Sequence, residues 1–245
     1  METINDLVGY DNLKIYQNDD WFKFSLESVL LPNFVSINPS TKSILDLCTG
    51  NAPIPLILST RTNAHIIGVE IQKDIYDLAC KTIKINHLEN QIEIINDDIL
   101  NIKDKYESDS FDIITVNPPY FKTSEESIKN QDLHKTIARH EYKITLEDIV
   151  KISRKLLKNN ARLAMVHRTE RFFEIIKVLE RNNLTPKKIQ FIHPKADTPS
   201  NLSMVEAVKN GKDGATFLSP LYIHNEDGGY RDEILEIFKR NKTQG

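Results

Sequence analysis

The sequence predicts an α/β fold built on a mostly parallel sheet, with antiparallel strands at its C-terminal end. Three observations carry this. Short β-rich runs alternate with turn or helical stretches from Ser43 onward, one of those stretches has clear helical periodicity, and several β-forming segments crowd together after residue 189. The runs are SILDL (43–47), HIIGV (65–69), IEII (92–95) and FDIITV (111–116), each followed by a turn or helix. Between the second and third, Ile71, Ile75, Leu78, Ala79, Thr82 and Ile83 recur at helical spacing, which predicts an amphipathic helix over 72–87.

Thr145-Leu146-Glu147-Asp148 has the form of a capping box ahead of Ile149, Ile152, Leu156 and Leu157, predicting a helix near 145–158. A strand ARLAMV (161–166) and a helix near 170–182 follow. The later segments IQFIH (189–193), MVEAVKN (204–210) and TFLSPLYI (216–223), with a turn at Lys212-Asp213-Gly214, lie close enough for antiparallel pairing, and a terminal helix is expected near 230–240. Segment 121–143 is polar and weakly periodic and reads as a mobile loop. With 245 residues and no Gly/Ser/Pro-rich linker, the chain is expected to be one domain over 1–245, residues 1–42 forming a cap and helix region that packs on the core.

Composition narrows the class. At 40% hydrophobic and 27% charged the chain reads as an ordinary globular protein. No apolar run approaches the roughly 18 residues of a membrane span, and the opening METINDLVGYDNLK is unlike a signal peptide, so a cytoplasmic protein without a membrane partner is expected. Cys48 and Cys80 stand at no zinc-ligand spacing and read as buried thiols. His134 and His140 lie six residues apart with no third ligand type around them, so no metal is expected. The net charge of −3 conceals an asymmetry: segment 151–195 holds twelve Lys/Arg against three acids, a balance of +9, leaving −12 for the rest. Such a run is either a solvated helix face or a phosphate-facing surface.

The strand-to-turn segment Asp46-Leu47-Cys48-Thr49-Gly50-Asn51-Ala52 has the layout of the first nucleotide-binding turn of a Rossmann-like sheet. Its glycine pattern is thin, with Gly50 flanked by Cys48 and Ala52, so a dinucleotide phosphate site is poorly supported. A nucleoside cofactor without phosphate needs only close backbone approach and nearby acids. Glu70, followed by Ile71, ends the second strand about twenty residues past the turn, where a carboxylate accepts from both ribose hydroxyls. Asp97 and Asp98 follow the third strand, where a carboxylate can accept from an adenine amino group.

The fourth strand ends directly in Asn117-Pro118-Pro119-Tyr120. An aromatic amine is a poor nucleophile while its lone pair is delocalised into the ring. If the Asn117 side-chain oxygen and the Pro118 carbonyl each accept one N–H bond, the nitrogen is drawn toward tetrahedral geometry and the lone pair is released. Tyr120 can stack on the base, and the fixed φ of Pro119 stiffens the loop.

These segments together resemble the class I S-adenosylmethionine (SAM)-dependent methyltransferases, and most closely the bacterial tRNA (adenine-37) N6-methyltransferases that modify valine tRNA. The resemblance spans nearly the whole chain, through FKFSLESVLL (22–31), ILDLCTGNAPIPLILS (44–59), GVEIQ (68–72), VNPPYFKT (116–123), HKTIARHE (134–141), LAMVHR (163–168), FIHPK (191–195) and LYIHNEDG (221–228). It implies a Rossmann-like methyltransferase sheet, SAM as cofactor and tRNA as partner. Ser25, Glu27, Asp46, Cys48, Gly50, Asn51, Glu70, Ile71, Asp97, Asp98 and Asn117 would then surround the cofactor, with Ser25 and Glu27 toward its methionine end. Asn117 to Tyr120 would receive the target base. Ala52, where the family usually has glycine, is a departure expected to narrow the cofactor pocket. The resemblance also turns the basic segment toward RNA, with Arg168, Arg171, Lys187, Lys188 and Lys195 as candidates for the tRNA backbone and Phe121, Arg139, His140 and Tyr142 for the anticodon arm.

The same tetrapeptide serves enzymes that methylate rRNA or DNA adenines or a protein glutamine. The 42 residues before the first strand leave little room for the helical domain of the glutamine enzymes, and no long insertion serves as a DNA-recognition domain. A non-catalytic RNA-binding module on the same fold is the alternative of another class, suggested only by the irregular Cys48/Ala52 turn.

Overall fold

The computed structural model describes residues 2–18, 25–118 and 144–239. A hairpin of β1 (Glu2–Leu7) and β2 (Tyr10–Asn18) precedes α1 (Glu27–Phe34). Then come β3 (Ser43–Leu47), α2 (Pro53–Ser59), β4 (His65–Glu70), α3 (Lys73–Ile85), β5 (Ile92–Asn96), α4 (Ile99–Lys105) and β6 (Phe111–Val116). After residue 143 follow α5 (Leu146–Leu156), β7 (Leu157–Arg168), a 3-10 turn (Thr169–Arg171) and α6 (Phe172–Arg181). Strands β8 (Leu184–His193), β9 (Leu202–Lys209), β10 (Thr216–Phe217) and β11 (Leu221–Tyr222) lead into α7 (Asp232–Lys239).

Eight strands of the main sheet run in the order β10-β8-β9-β7-β6-β3-β4-β5, with β11 also on β8. Strands β3 to β7 are mutually parallel, and β9 runs antiparallel to both β7 and β8. The chain winds outward from β3 through β4 to β5, then returns to the other side of β3 as β6. That reversal opens a crevice beyond the carboxyl ends of β3 and β6, the place where open α/β sheets hold ligands.

Sequence accounts for most of these elements. The α3 stripe buries Ile75, Leu78, Ala79, Thr82 and Ile83, the same positions the spacing marked. The capping box of α5 is made in full: the Thr145 hydroxyl accepts from Asp148 N and Asp148 accepts from Thr145 N. The central strands are apolar runs because helices cover both faces. One core joins the hairpin, α1, α2, α3 and α7 to the sheet, and a second joins α4, α5 and α6 to its other face.

Three features differ from expectation. Strand β7 starts at Leu157 rather than Ala161, and its pairing with β6 shifts register between Phe111 and Ile113, near Asn160 with its left-handed φ of 62°. The terminal segment makes two short strands that pair with β8 in parallel, not antiparallel. Strand β9 ends beside the start of β8, so a short turn delivers the chain to the outer edge of β8 running in its direction, and Pro220 interrupts what would be one strand. The N-terminal hairpin carries little sequence signal because β1 is largely exposed, with Ile4 at 49%. Its second strand is nevertheless tied to α3: Tyr16 N donates to the Thr82 hydroxyl at 3.0 Å, and Asn86 exchanges hydrogen bonds with the Lys14 backbone.

Candidate active site

The turn after β3 is the centre of the crevice. Cys48, Gly50 and Ala52 all take positive φ (59°, 59° and 70°), two of them without the freedom of glycine. Such residues cost on the order of 1 kcal/mol or more each and persist only where the surroundings fix them. Here the fixing bonds are visible. Thr49 N donates to Val69 O, Ala52 N to Thr49 O, and Gly50 N to Glu70 Oε2 at 3.0 Å. Gly68 makes the close approach possible, because a Cβ there would lie 2.8 Å from the Thr49 hydroxyl and 2.9 Å from Ile94. Ala52 is fully buried, and its left-handed φ explains why glycine suits this position.

Beneath the turn, Asp46 is 0% exposed and accepts from two hydroxyls, Thr49 Oγ1 and Thr115 Oγ1, each at 2.6 Å. Asp46 and Thr115 are register partners on β3 and β6, so the pair crosses the line where the sheet reverses. Burial pushes the Asp46 carboxyl up to about 7, partly offset by the two threonines and reinforced by Glu70. A group whose folded pKa is raised binds its proton more tightly in the folded state, so its contribution to stability falls as pH rises through the interval between the two values. The difference in unfolding free energy between the protein and Asp46→Asn is therefore expected to fall from pH 4 to pH 7 and to level off above, measured by denaturant titration across that range. His167, held down to about 4 mainly by burial, works in the opposite sense below pH 6.5. Subtracting the Asp46→Asn curve removes it.

Glu70, 6% exposed, braces the turn. One oxygen accepts from Gly50 N and the other from Gln72 N at 2.9 Å, while burial raises its carboxyl above the usual range. Each oxygen keeps a second lone pair. Asp98 caps α4, accepting from Leu100 N at 2.9 Å through one oxygen. Asp97 is committed to local structure: it accepts from Asp98 N and Asn101 Nδ2 and pairs with Lys105 at 2.6 Å, which holds its carboxyl low. Ile71 is 41% exposed at the rim beside Glu70. The Cys48 thiol is pushed up first by burial and then by the charges of Glu70, Asp46 and Asp98, so three carboxylates converge on this one turn. A thiol so placed stays protonated and is no nucleophile. Asn51 is 1% exposed. Its Nδ2 donates to Tyr16 O at 2.7 Å, while its Oδ1 is buried with no partner among the described residues.

Across the crevice, Asn117 directly follows β6 and is followed by buried Pro118. Asn117 Nδ2 donates to the hydroxyl of Ser28 at 3.1 Å, and Ser28, on the first turn of α1, is 4% exposed. Helix α1 thus begins at the crevice, with Ser25 and Glu27 beside Ser28; Ser25 O accepts from Ser28 N. Pro119, Tyr120, Phe121, Arg139, His140 and Tyr142 lie outside the described residues, as do His134 and the loop expected over 121–143.

The basic candidates separate. Arg168, at the carboxyl end of β7, and Lys195, just past β8, are exposed. Arg171 is held in a two-pronged pair with Glu174, at 2.8 and 2.6 Å. Lys187 donates to loop carbonyls of Lys212 and Gly214. Lys188 requires a correction as an RNA contact. Its ammonium turns inward to Phe34 O and the Ser36 hydroxyl, stands 4.5 Å over the Phe34 ring and lies 3.5 Å from buried Glu206, so it caps the end of α1.

Sequence reasoning missed Thr49, Thr115, Gly68 and Ser28. Thr115 was visible as the polar residue of an otherwise apolar strand, and Thr49 as a hydroxyl one turn past Asp46. Ser28 carries no local signal. An open cleft of about 530 Å³ lies at the other end of β3, lined by Asn38, Thr41, Arg61 and Asn63 among others, and no residue of the crevice borders it. Among the described residues, no helix is long and apolar enough to cross a membrane, and no group of three or more His, Cys, Asp or Glu could hold a metal.

A doubly wound sheet with an acid ending β4, a tight turn after β3 and Asn-Pro ending β6 defines a Rossmann-like enzyme core of the class I methyltransferase type. Residues 38–219 match the model of the methyltransferase domain family, and the chain belongs to that family. It is 26% identical over 202 residues to a tRNA1(Val) (adenine(37)-N6)-methyltransferase of Parabacteroides distasonis, covering 82% of this chain and 83% of that one. To the protein of the same name in Porphyromonas gingivalis it is 25% identical over 240 residues, 95% and 93% of the two chains. Among solved structures, a predicted O-methyltransferase from Agrobacterium tumefaciens superposes with a TM-score of 0.69 at 17% identity, over 89% of this chain and 97% of that one. A geranyl diphosphate C-methyltransferase from Streptomyces coelicolor, solved with S-adenosyl-L-homocysteine, gives 0.58 at 10% identity, over 74% and 78%. These likenesses carry the fold.

Proposed function

We propose that this chain is a SAM-dependent methyltransferase acting on the N6 amine of an adenosine in tRNA, namely position 37 beside the anticodon of valine tRNA. The observation that carries the reading is Asn117 directly after β6 and before Pro118, its amide nitrogen engaged by Ser28 and its oxygen, with no donor among the described residues, available to an amine N–H.

The crevice suits the cofactor. SAM brings a sulfonium and an ammonium, and the acids Glu70 and Asp98 stand at the turn, with Asp46 buried beneath it. The unpartnered Asn51 Oδ1 supplies an acceptor, and the second lone pairs of Glu70 suit the ribose hydroxyls. Ile71 offers an apolar rim to the adenine ring and Asp98 an acceptor to its amino group. When bound, SAM supplies an electrophilic methyl on its sulfonium sulfur. The protein's part is orientation: Asn117 Oδ1 and Pro118 O accept the two N–H bonds of the target amine, drawing the nitrogen toward tetrahedral geometry so that its lone pair points out of the ring. No strong general base is needed, because the methylated amine sheds its proton to water.

Residues 1–245 are read as one catalytic domain in a cytoplasmic enzyme, 1–42 forming its cap. Arg168 and Lys195, at the crevice end of the sheet, serve the tRNA backbone. The relatives named for tRNA1(Val) support the substrate.

The test is to incubate the protein with methyl-labelled SAM and total tRNA from a strain lacking this modification, with rRNA, duplex DNA and cell protein as parallel substrates, and to digest the products. Label in N6-methyladenosine from tRNA alone is the expected result. Label in glutamine, in DNA or in another nucleoside would overturn the assignment.

A further inference from the structure

We propose that Phe173 is a stacking platform for an unpaired base beside the target adenosine, so that the protein takes a single-stranded loop of RNA and not a duplex. The proposal rests on the tRNA reading above and adds a base contact to it. Helix α6 buries Ile175, Val178 and Leu179, and its opposite face holds the exposed Glu174, Lys177 and Glu180. Phe173 falls on that polar face and is 76% exposed, the most of any large apolar side chain among the described residues. One exposed apolar side chain is ordinary by itself. Its place distinguishes it. Strand β7 lies beside β6, about 4.8 Å away, with Met165 opposite Val116, so Arg168 and the turn that begins α6 stand past Asn117-Pro118 at the crevice end of the sheet. The loop after β8 is fastened to the same rim: Thr169 N donates to Asn201 O at 3.1 Å, and the Thr169 and Ser200 hydroxyls are 2.8 Å apart. That rim therefore carries the exposed cations Arg168 and Lys195 together with the Phe173 ring. Residues 168–177 hold three cations against two acids, and one of the acids, Glu174, is already paired with Arg171. The ring is also set in place: Phe173 meets Phe172 edge to face with centroids 5.7 Å apart, and Phe172 packs on Phe191 of β8 at 5.1 Å. A ring held this way loses little conformational freedom when a base stacks on it. Phosphate contacts alone do not tell a loop from a stem, whereas only an unstacked base has a face to offer an aromatic ring.

The test uses the full chain and two probes, the anticodon stem-loop of valine tRNA and the same strand annealed to its complement. Phe173→Ala is expected to weaken stem-loop binding about tenfold or more and to leave duplex binding within about twofold. Its affinity should keep the same dependence on salt, because no phosphate contact is lost, whereas Arg168→Ala should lower that slope by about one. Phe173→Trp keeps a stacking face and is expected to retain the affinity. In the unmutated protein, 2-aminopurine placed on either side of position 37 should be quenched on binding at one of the two places, and Phe173→Ala should abolish that quench. Because the side chain is exposed, the variants should match the unmutated protein in thermal midpoint and SAM affinity. Unchanged stem-loop affinity in Phe173→Ala, or an equal loss with the duplex, would overturn the proposal. If the unmutated protein forms N6-methyladenosine in tRNA while Phe173→Ala binds the stem-loop normally, the platform alone fails. If it forms none, the tRNA reading fails and the platform falls with it.

Discussion

Asn117→Ala is expected to lower turnover by about 10²–10³-fold, roughly the loss seen when one preorganised polar contact to a reacting centre is removed. SAM affinity should stay within a few-fold, since the turn after β3 and Glu70 are untouched. Asn117→Asp should fall between the two because it keeps an acceptor oxygen. Single-turnover rates beside calorimetric SAM titrations separate these effects. An alanine variant with the unmutated rate would remove Asn117 from the mechanism, whatever the substrate.

The second large effect is expected at Glu70. Its two oxygens hold Gly50 N and Gln72 N, and hydrogen bonds to a charged acceptor contribute about 1.5–3 kcal/mol each. Part of that gain is offset by the burial that raises its pKa, so Glu70→Ala should destabilise the fold by only about 1–3 kcal/mol. Cofactor binding loses more. The turn carrying Cys48, Gly50 and Ala52 is released from its brace, and the ribose acceptors go with it, so SAM affinity should drop about 100-fold or more. Glu70→Gln should be little better, because its amide end would face a backbone N–H that needs an acceptor. Thermal unfolding and calorimetry on the same samples measure the two losses; unchanged SAM affinity would place the cofactor elsewhere.

The elements around the site were legible because their sequence patterns are local. The runs at 43–47, 65–69, 92–95 and 111–116 became β3 to β6 with nearly the same limits, and the helical stripe at 72–87 became Lys73–Ile85. Glu70 stood out for its distance from the turn and Asn117 for its tetrapeptide. What escaped was set by tertiary contact. The parallel pairing of β10 and β11 follows from where β9 delivers the chain, which composition does not encode. The β1–β2 hairpin is held by α3, so its own residues need little periodicity. Lys188 looked like one cation of a basic run until β8 placed it over Phe34 and beside Glu206. Ser28 meets Asn117 only once α1 has packed against the end of β6. Ala52, a departure from glycine expected to narrow the cofactor pocket, adopts the left-handed φ that position demands.

Two valine tRNA transcripts that differ only at position 37, one with adenosine and one with guanosine, each incubated with the protein and methyl-labelled SAM, show whether the crevice at the ends of β3 and β6 methylates one adenine amine of the anticodon loop. Nuclease mapping is expected to find one N6-methyladenosine, at position 37, in the first transcript and no label in the second. Equal labelling of the guanosine transcript, or label in any other nucleoside of the first, would contradict the account.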